Sequence, residues 1–281
     1  MKNYLLKVLD NYFSEILVIE GKLILSESFL MAKKNDIMEE KRQNKMIVSA
    51  IASYRDLSLV KAEENLFTPN RSYLITVDNL ENEIKDVISQ QCCFAVSQAY
   101  EVFESFLIEL LTEFLFYNQQ KLKEVKLAAG GIILIRETIR NMVKQNQKTN
   151  NKGLLSMIRK LSPYFTNHEA HNIHNVNITQ WFDLLSMIRH TLVHNRQIIS
   201  HRLLKYLETN KANVMFDRHF QGKKIGDNVC IYLEKNVTSD IIDWLNTFAH
   251  FIFKSFSTEA KLSLDIPQYK PPHLNLSRFS W

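Results

Sequence analysis

The sequence predicts an all-α protein, an up-and-down helical bundle with one small β-hairpin near its C-terminus. Three observations support this prediction. Apolar residues make up 46% of the 281 residues and recur mainly at the three- and four-residue spacing of amphipathic helices. Glycine and proline occur only 6 and 5 times, so few residues interrupt these helices. A strand-like alternating pattern enters late, in the stretches NVMFD and NVCIYLE.

Residues 1–80 are predicted to be an N-terminal helical extension. Apolar pairs at helical spacing indicate an amphipathic helix over residues 4–31. Gly21 stands between two β-branched runs there, which leaves a hairpin as an alternative. Residues 36–66 begin polar and then carry apolar residues, and they favour a second helix.

Residues 81–258 are predicted to form the main helical domain. Its first part, residues 79–118, indicates one very long helix or two abutting ones. Residues 178–208 indicate another long helix, and residues 259–281 form an extended tail with three prolines. The remaining elements are helices over 132–147, in LLSMIRKL and in TSDIIDWLNTFAHFIFKSF, and a hairpin whose strands NVMFD and NVCIYLE flank RHFQGKKIGD.

Three features of composition limit the class of protein. The three cysteines have no CxxC spacing, which favours ordinary buried thiols in a reducing compartment. The N-terminus lacks a signal-peptide pattern and charges interrupt every apolar run, so we expect a cytoplasmic protein without a membrane span. Residues 1–120 hold 12 Lys and Arg against 18 Asp and Glu, whereas the remainder holds 23 against 12. The basic C-terminal part suggests an anionic partner.

The most basic stretch is residues 121–160, with ten basic and two acidic residues. Arg136, Arg140, Lys144 and Lys148 recur every four positions and therefore share one helix face. This stripe is predicted to contact an RNA backbone, with a merely solvated face as the alternative.

The heptapeptide RHTLVHN, residues 189–195, places an arginine and two histidines after an apolar helical stretch. Arginine is a permanent, fork-shaped phosphate ligand, and histidine transfers protons near neutral pH. Metal-free RNA cleavage needs both groups, because the 2′-hydroxyl loses a proton while charge develops at phosphorus. Arg189 and His194 point about 140° apart on one helix, so two copies across a two-fold axis complete the site. Arg196 lies seven residues after Arg189 and is predicted to share its line and bind RNA.

The same heptapeptide resembles the R-x4-6-H motif of the HEPN superfamily (higher eukaryotes and prokaryotes nucleotide-binding). In that motif an arginine is followed at once by a polar residue, often Asn, Asp or His, and four to six residues later by a histidine. Arg189, His190 and His194 match these positions, and Asn195 is similar to many members. The stretch AYEVFESFLIELL resembles the family's first core helix, so the resemblance covers roughly residues 85–258.

The resemblance implies a fold, a reaction and roles for four residues. The fold is a four- to five-helix up-and-down bundle that dimerises through the motif helices. Many members are metal-independent endoribonucleases that serve as toxins, phage-defence effectors or RNA-processing enzymes. Carried over, Arg189 and His194 are catalytic, His190 orients or assists, and Asn195 is a supporting hydrogen-bonder. We therefore expect RNA as the substrate, a homodimer, no cofactor and no metal, and an antitoxin or regulatory protein as a further partner.

Other interpretations remain open. The domain could be a non-catalytic HEPN dimer that holds RNA, a nucleotide or a protein, or a helical interaction protein with an incidental histidine stripe. His190 and His194 have the spacing of a zinc site, but Thr191 stands where the general base of H-E-x-x-H would be. The glutamates Glu101 and Glu104 are predicted to line a solvated face or to contact another subunit, with contact to Arg189 as the alternative. A second histidine group, His168, His171 and His174, is predicted to bind nothing.

Overall fold

A computed structural model describes residues 3–39, 46–55, 66–68, 72–127, 134–147 and 152–267 of the chain. These residues are mostly helical, which confirms the coarser part of the predicted fold class. The helices are α1 (Leu6–Glu39), α2 (Leu80–Tyr117), α3 (Arg136–Asn146), α4 (Lys152–Leu161), α5 (Pro163–His168), α6 (Ile178–His194), α7 (His201–Thr209), α8 (Asn213–His219) and α9 (Lys235–Glu259). The strands are β1 (Met46–Ile51), β2 (Tyr54–Arg55), β3 (Leu66–Phe67), β4 (Ser72–Thr76), β5 (Gly222–Ile225) and β6 (Asn228–Ile231).

The strands form three two-stranded antiparallel sheets in the described part of the chain. β1 pairs with β4, β2 with β3, and β5 with β6. The β5–β6 pair is a hairpin whose turn contains Gly226 at φ +59°, a left-handed conformation that glycine adopts without steric cost.

The chain divides into two compact units built from separate stretches of sequence. The first unit comprises residues 1–13, 103–181 and 246–281, and the second comprises residues 14–102 and 182–245. The predicted domain boundaries, at residues 80 and 258, do not coincide with the limits of these two units. The predicted domains stay predictions.

Aromatic side chains form much of the core of the first unit. The Phe103 ring stacks on Phe248 with centroids 5.2 Å apart, and Phe114 stacks on Phe256 at 4.5 Å. Residues Ile139 and Val143 bury the apolar face of α3. Fully burying an aliphatic or aromatic side chain stabilises a fold by about 1.5–3 kcal/mol, so these contacts dominate the unit's stability.

The core of the second unit joins α2, α6 and β6. Tyr100 and Phe182 stack with their centroids 5.3 Å apart. The buried Ser89 hydroxyl accepts a 3.1 Å hydrogen bond from the Leu233 backbone N–H, which satisfies a buried donor just beyond β6. The aliphatic members of this core include Val96 and Ala99 of α2, Leu184, Leu185 and Ile188 of α6, and Ile231 of β6.

The predicted helix over residues 36–66 is wrong where the structure describes it. α1 continues to Glu39, and residues 46–51 form β1 instead of a helix. The run MIVSAI contains three β-branched residues, and its pairing with SYLIT in β4 satisfies the backbone groups that a helix would otherwise bond internally. Residues 40–45 and 56–65 lie outside the described residues.

The predicted helix over residues 178–208 is also wrong as one element. α6 ends at His194 and α7 begins only at His201. Arg196 and Gln197 between them have φ of 50° and 68°, a region incompatible with a continuing right-handed helix. Arg196 therefore does not continue the helical line of Arg189.

The predicted hairpin is half correct. NVCIYLE contains β6, but NVMFD belongs to α8, and the partner strand is GKKI in β5. α8 ends at His219, and the rings of Phe216 and Phe220 lie 5.9 Å apart at its C-terminal end. The final helix also begins earlier than its predicted Thr-Ser-Asp cap, at Lys235.

Several other expectations are confirmed. The stretch 79–118 is one helix, α2, of 38 residues. Helix α3 lies within its predicted stretch, α4 covers LLSMIRKL but begins two residues earlier, at Lys152, and Pro163 takes the first turn of α5. The three cysteines are buried free thiols, and burial raises the pKa of Cys93 to about 12. Among the described helices, none is both long enough and apolar enough to cross a membrane.

Candidate active site at the end of helix α6

Helix α6 carries most of RHTLVHN at its C-terminal end, and its apolar residues pack into the core. Leu184, Leu185 and Ile188 are fully buried, which leaves the adjoining face of the helix to polar side chains. His190 and His194 are exposed on that face, and Arg189 is half-buried beside the core. The buried Thr191 hydroxyl donates a 3.0 Å hydrogen bond to the Met187 carbonyl, so it is satisfied inside the helix.

Arg189 is held by a carboxylate of α2. Its Nη2 donates a 2.7 Å hydrogen bond to Glu101 Oε1, and the two side chains are 27% and 54% exposed. The Nε–H of Arg189 is buried, and no group in the described part of the chain accepts a hydrogen bond from it. A buried donor left unpaired costs about 1–3 kcal/mol. Glu101 thus contacts Arg189, which is the alternative that the sequence left open for it.

The two histidines form a neighbouring pair on the helix. Their ring centroids lie 4.8 Å apart, with an interplanar angle of 46°. Partial burial lowers the pKa of His190, and the nearby charges of His194, Arg202 and Arg189 lower it further. An imidazole whose pKa lies below 6.5 is neutral at physiological pH and can accept a proton.

The chain leaves the site through a left-handed turn that the β5–β6 hairpin stabilises. Gln197 O accepts a 2.8 Å hydrogen bond from Ile231 N–H, and Ile199 N–H donates one of 2.9 Å to Val229 O. Ile198 forms a bridge to Cys230 between them. These bonds to β6 offset the cost of about 1–2 kcal/mol per left-handed residue at Arg196 and Gln197.

Two of the predicted site residues follow the end of α6. Asn195 is the first residue after α6, and its backbone N–H donates a 3.1 Å hydrogen bond to Thr191 O. Its side-chain amide is half-buried and has no hydrogen-bond partner among the described residues. Arg196 is exposed on the turn. The last turns of α6 thus carry Arg189, His190 and His194, Asn195 follows directly, and Arg196 lies on the turn beyond.

The predicted basic stripe lies on α3 as far as the structure describes it, and its two arginines are ion-paired. Its fourth residue, Lys148, lies outside the described residues. Arg136 contacts Glu113 through Nε at 2.5 Å and Nη2 at 3.2 Å, and its guanidinium lies 4.6 Å from the centroid of the Phe116 ring. Arg140 Nε donates a 2.6 Å hydrogen bond to Glu109 Oε1. Lys144 is exposed on the same helix.

In the second histidine group, the His168 ring packs against a neighbouring side chain. His168 Nδ1 lies 2.8 Å from Tyr164 O, and its ring stacks on that tyrosine with centroids 4.4 Å apart. His171 and His174 are exposed. Within the described stretches, no three His, Cys, Asp or Glu side chains are grouped closely enough to hold a metal ion.

Two residues near the motif were not expected there from the sequence, or were expected only as an alternative. They are Arg202 and Glu101. Arg202, on α7, contributes to the lowered pKa of His190, and nothing in the sequence indicated that α7 turns back toward α6. Glu101 lies 88 positions from Arg189. A helical face of α2 rich in glutamate was the only sign of that contact.

Comparison of the chain with protein-family models, curated proteins and solved structures finds no match. The resemblance to the HEPN superfamily therefore depends on the RHTLVHN motif and its helical setting.

Proposed function

We propose that the protein is a metal-independent endoribonuclease of the HEPN type, with a site completed by a second copy of the chain. The observation that supports this most strongly is the arrangement around Arg189. Its guanidinium contacts Glu101 at one edge, has no acceptor for its buried Nε–H among the described residues, and lies on the helix end that carries the His190–His194 pair. A buried donor without an acceptor requires an explanation, and an acceptor supplied by a bound molecule is one.

Each group has a role in strand cleavage by the RNA's own 2′-hydroxyl. His194 takes the proton of the 2′-hydroxyl and returns a proton to the departing O5′, while the neutral His190 beside it orients the ring or accepts a proton in turn. Arg189 stabilises the negative charge on the pentacoordinate phosphorus. The O2′–P bond forms as the P–O5′ bond breaks, so the products carry a 2′,3′-cyclic phosphate and a 5′-hydroxyl. Asn195 offers an amide for a supporting hydrogen bond.

The proposal includes a homodimer for a geometric reason. Arg189 and His194 lie five positions apart on α6, and residues at this spacing diverge by about 140°. A two-fold axis beside α6 brings Arg189 of one protomer toward His194 of the other, because an isologous interface uses the same surface twice. An RNA-cleaving dimer of this kind acts in the cytoplasm as a toxin or phage-defence effector, with an antitoxin or regulatory protein as its controlling partner.

The test is RNA cleavage by purified protein in the presence of EDTA. Wild type is expected to produce fragments ending in 2′,3′-cyclic phosphate, and His194→Ala and Arg189→Ala are expected to lose activity by about 10²–10⁴-fold. His168→Ala is the matched control, because that histidine stacks on Tyr164 and is not part of the motif. Cleavage that persists in His194→Ala, or that stops with EDTA in wild type, contradicts the proposal.

A second candidate function, a HEPN-type dimer that binds RNA without cutting it, is favoured by one observation. The ion pair with Glu101 already neutralises part of the Arg189 charge. If that pair persists when RNA binds, the guanidinium positions RNA but contributes less to transition-state stabilisation. RNA binding by wild type with no cleavage under any ionic condition, and unchanged affinity in His194→Ala, identify this second function.

A further inference from the structure

A cleft beside Arg189 has the features of a nucleobase pocket. It has a volume of about 460 Å³ and is lined by one face of α2 and by the end of α6 with the turn after it. This volume is within the range of about 300–1,000 Å³ that is typical of small-ligand sites. Glu101, the partner of Arg189, lies on its wall, so the cleft borders the cation proposed to bind the scissile phosphate.

The most conspicuous wall of the cleft is the ring of Phe94. This side chain is 67% exposed, although α2 buries most of its other apolar residues. In the described part of the chain Phe94 has no aromatic or cationic partner. An exposed aromatic face beside a cavity is the usual platform for stacking an unpaired base, and each such stack strengthens binding by about 1–3 kcal/mol.

Three side-chain amides surround the ring. Gln90 and Gln98 lie four positions on either side of Phe94 on α2, and Gln197 belongs to the left-handed turn after α6. None of the three amides makes a side-chain hydrogen bond within the described residues. An amide offers a donor and an acceptor together, which matches the paired donor and acceptor groups on base edges.

The polar rim distinguishes this cleft from a surface for a second copy of the chain. The core of a protein–protein interface is depleted of charged groups and rich in apolar contact. Here the exposed ring shares the cleft with three amides, the carboxylate of Glu101 and the Ser97 side chain. Only Leu192 and Val193 add aliphatic surface from α6. A flat, polar-edged aromatic ligand satisfies both the ring and the amides, whereas an apolar protein surface satisfies only the ring.

We propose that this cleft binds one unpaired RNA base adjacent to the scissile phosphate, with Phe94 stacking on the base and the glutamines contacting its edges. This inference rests on the proposed RNA-cleaving function and extends it to substrate choice. The protein then prefers single-stranded RNA, because a base paired in a duplex cannot enter the cleft.

The test compares Phe94→Leu and Phe94→Trp with Phe29→Leu. Phe29 is the matched control, because it is an equally exposed phenylalanine, at 69%, on α1 and outside the cleft. One arm measures the binding of fluorescein-labelled A, C, G and U hexanucleotides to each variant in a His194→Ala background. The other arm sequences the 5′-hydroxyl ends of RNA cut by each variant with His194 intact.

We expect wild type to favour one base at a fixed position relative to the cut. Phe94→Leu should weaken hexanucleotide binding by about five- to a hundredfold and flatten that preference, whereas Phe94→Trp and Phe29→Leu should retain both. A decreased preference in Gln98→Leu, with overall cleavage retained, would support contact between the amide and the base edge.

The two arms separate this inference from the function it rests on. If wild type cuts RNA and Phe94→Leu keeps both its binding and its preference, the base pocket is wrong and the nuclease function stands. If wild type does not cut but hexanucleotide binding still depends on Phe94, the nuclease function is wrong and the pocket stands. If light scattering shows that Phe94→Leu converts a dimer to a monomer, the ring contacts a second copy and the inference is overturned.

Discussion

Glutamates of α2 hold arginines on α3 and on α6, and the two regions differ in what surrounds those arginines. On α3, Arg136 and Arg140 pair with Glu113 and Glu109 beside the buried residues Ile139 and Val143. On α6, Arg189 pairs with Glu101, and its buried Nε–H has no acceptor among the residues that the structure describes. The first arrangement is that of ion pairs along the edge of a packed helix, whereas the second leaves a buried donor beside two histidines.

The comparison shows that a basic residue indicates RNA contact only when its ion-pair partners are also known. The same sequence reasoning predicted RNA contact for both sets of arginines, since a linear pattern cannot reveal which arginines are neutralised. Exposed ion pairs stabilise a fold by only about 0–1 kcal/mol, so the α3 pairs are weak contributors to stability. These pairs matter in another way, because the glutamates neutralise arginine charges that would otherwise attract RNA.

The largest expected effect comes from replacing arginine by lysine in each region. Arg189→Lys keeps the charge but loses the planar fork that contacts Glu101 and phosphate together, so we expect cleavage to fall by about 10²-fold. Arg140→Lys keeps a surface pair and should leave cleavage unchanged. Initial rates on one RNA substrate measure both variants. Equal rates for both would remove the distinction between the two regions.

A smaller effect is expected from the acidic partners. Glu101→Gln still accepts a hydrogen bond from Arg189 but holds it less firmly, so cleavage should fall about tenfold, mainly in kcat, because the guanidinium is less well positioned. Glu109→Gln, the corresponding change opposite Arg140, should leave kcat and KM as in wild type. An increase in cleavage in Glu101→Gln would mean that the carboxylate masks Arg189 and does not position it.

The salt dependence of RNA binding should separate the residues of the α3 stripe. Lys144 is exposed and unpaired in the described residues, so Lys144→Ala should reduce the slope of log affinity against log salt by about one if it contacts a phosphate. Arg140→Ala should change the slope less, because Glu109 already neutralises that charge. Titrations with a fluorescent RNA at several salt concentrations provide the slopes. Identical slopes for both variants and wild type would exclude α3 from the RNA-contacting surface.

The smallest effect is a titration shift at His190. Burial and the charges of His194, Arg202 and Arg189 lower its pKa, so its ring should titrate below pH 6.5 in an NMR experiment. His194→Gln removes one of these charges and should move the pKa upward toward 6.5. Since the unfolded chain binds this proton first, His190 lowers the stability of the folded state only as the pH falls below 6.5. A ring that titrates above 6.5 would contradict the environment described for α6.

The elements that sequence reasoning predicted well have local causes. α2 follows from a long apolar periodicity with acidic residues and no glycine or proline. RHTLVHN was identified from residue types alone, and the structure groups its arginine and histidines at one helix end.

The predictions that failed concern features with non-local causes. α6 ends without a glycine or proline because bonds from residues 197 and 199 to β6 stabilise two left-handed residues. The Glu101–Arg189 pair likewise joins distant stretches, which a periodic pattern cannot reveal.

The bonds between the turn after α6 and β6 set an order in which the site is completed during synthesis. The motif is translated well before Ile231, whose N–H bonds to Gln197 O. A nascent or truncated chain that stops short of β6 therefore contains RHTLVHN without the support of the turn behind it. If the protein cuts RNA as proposed, its site therefore stays without this support until β6 has been translated.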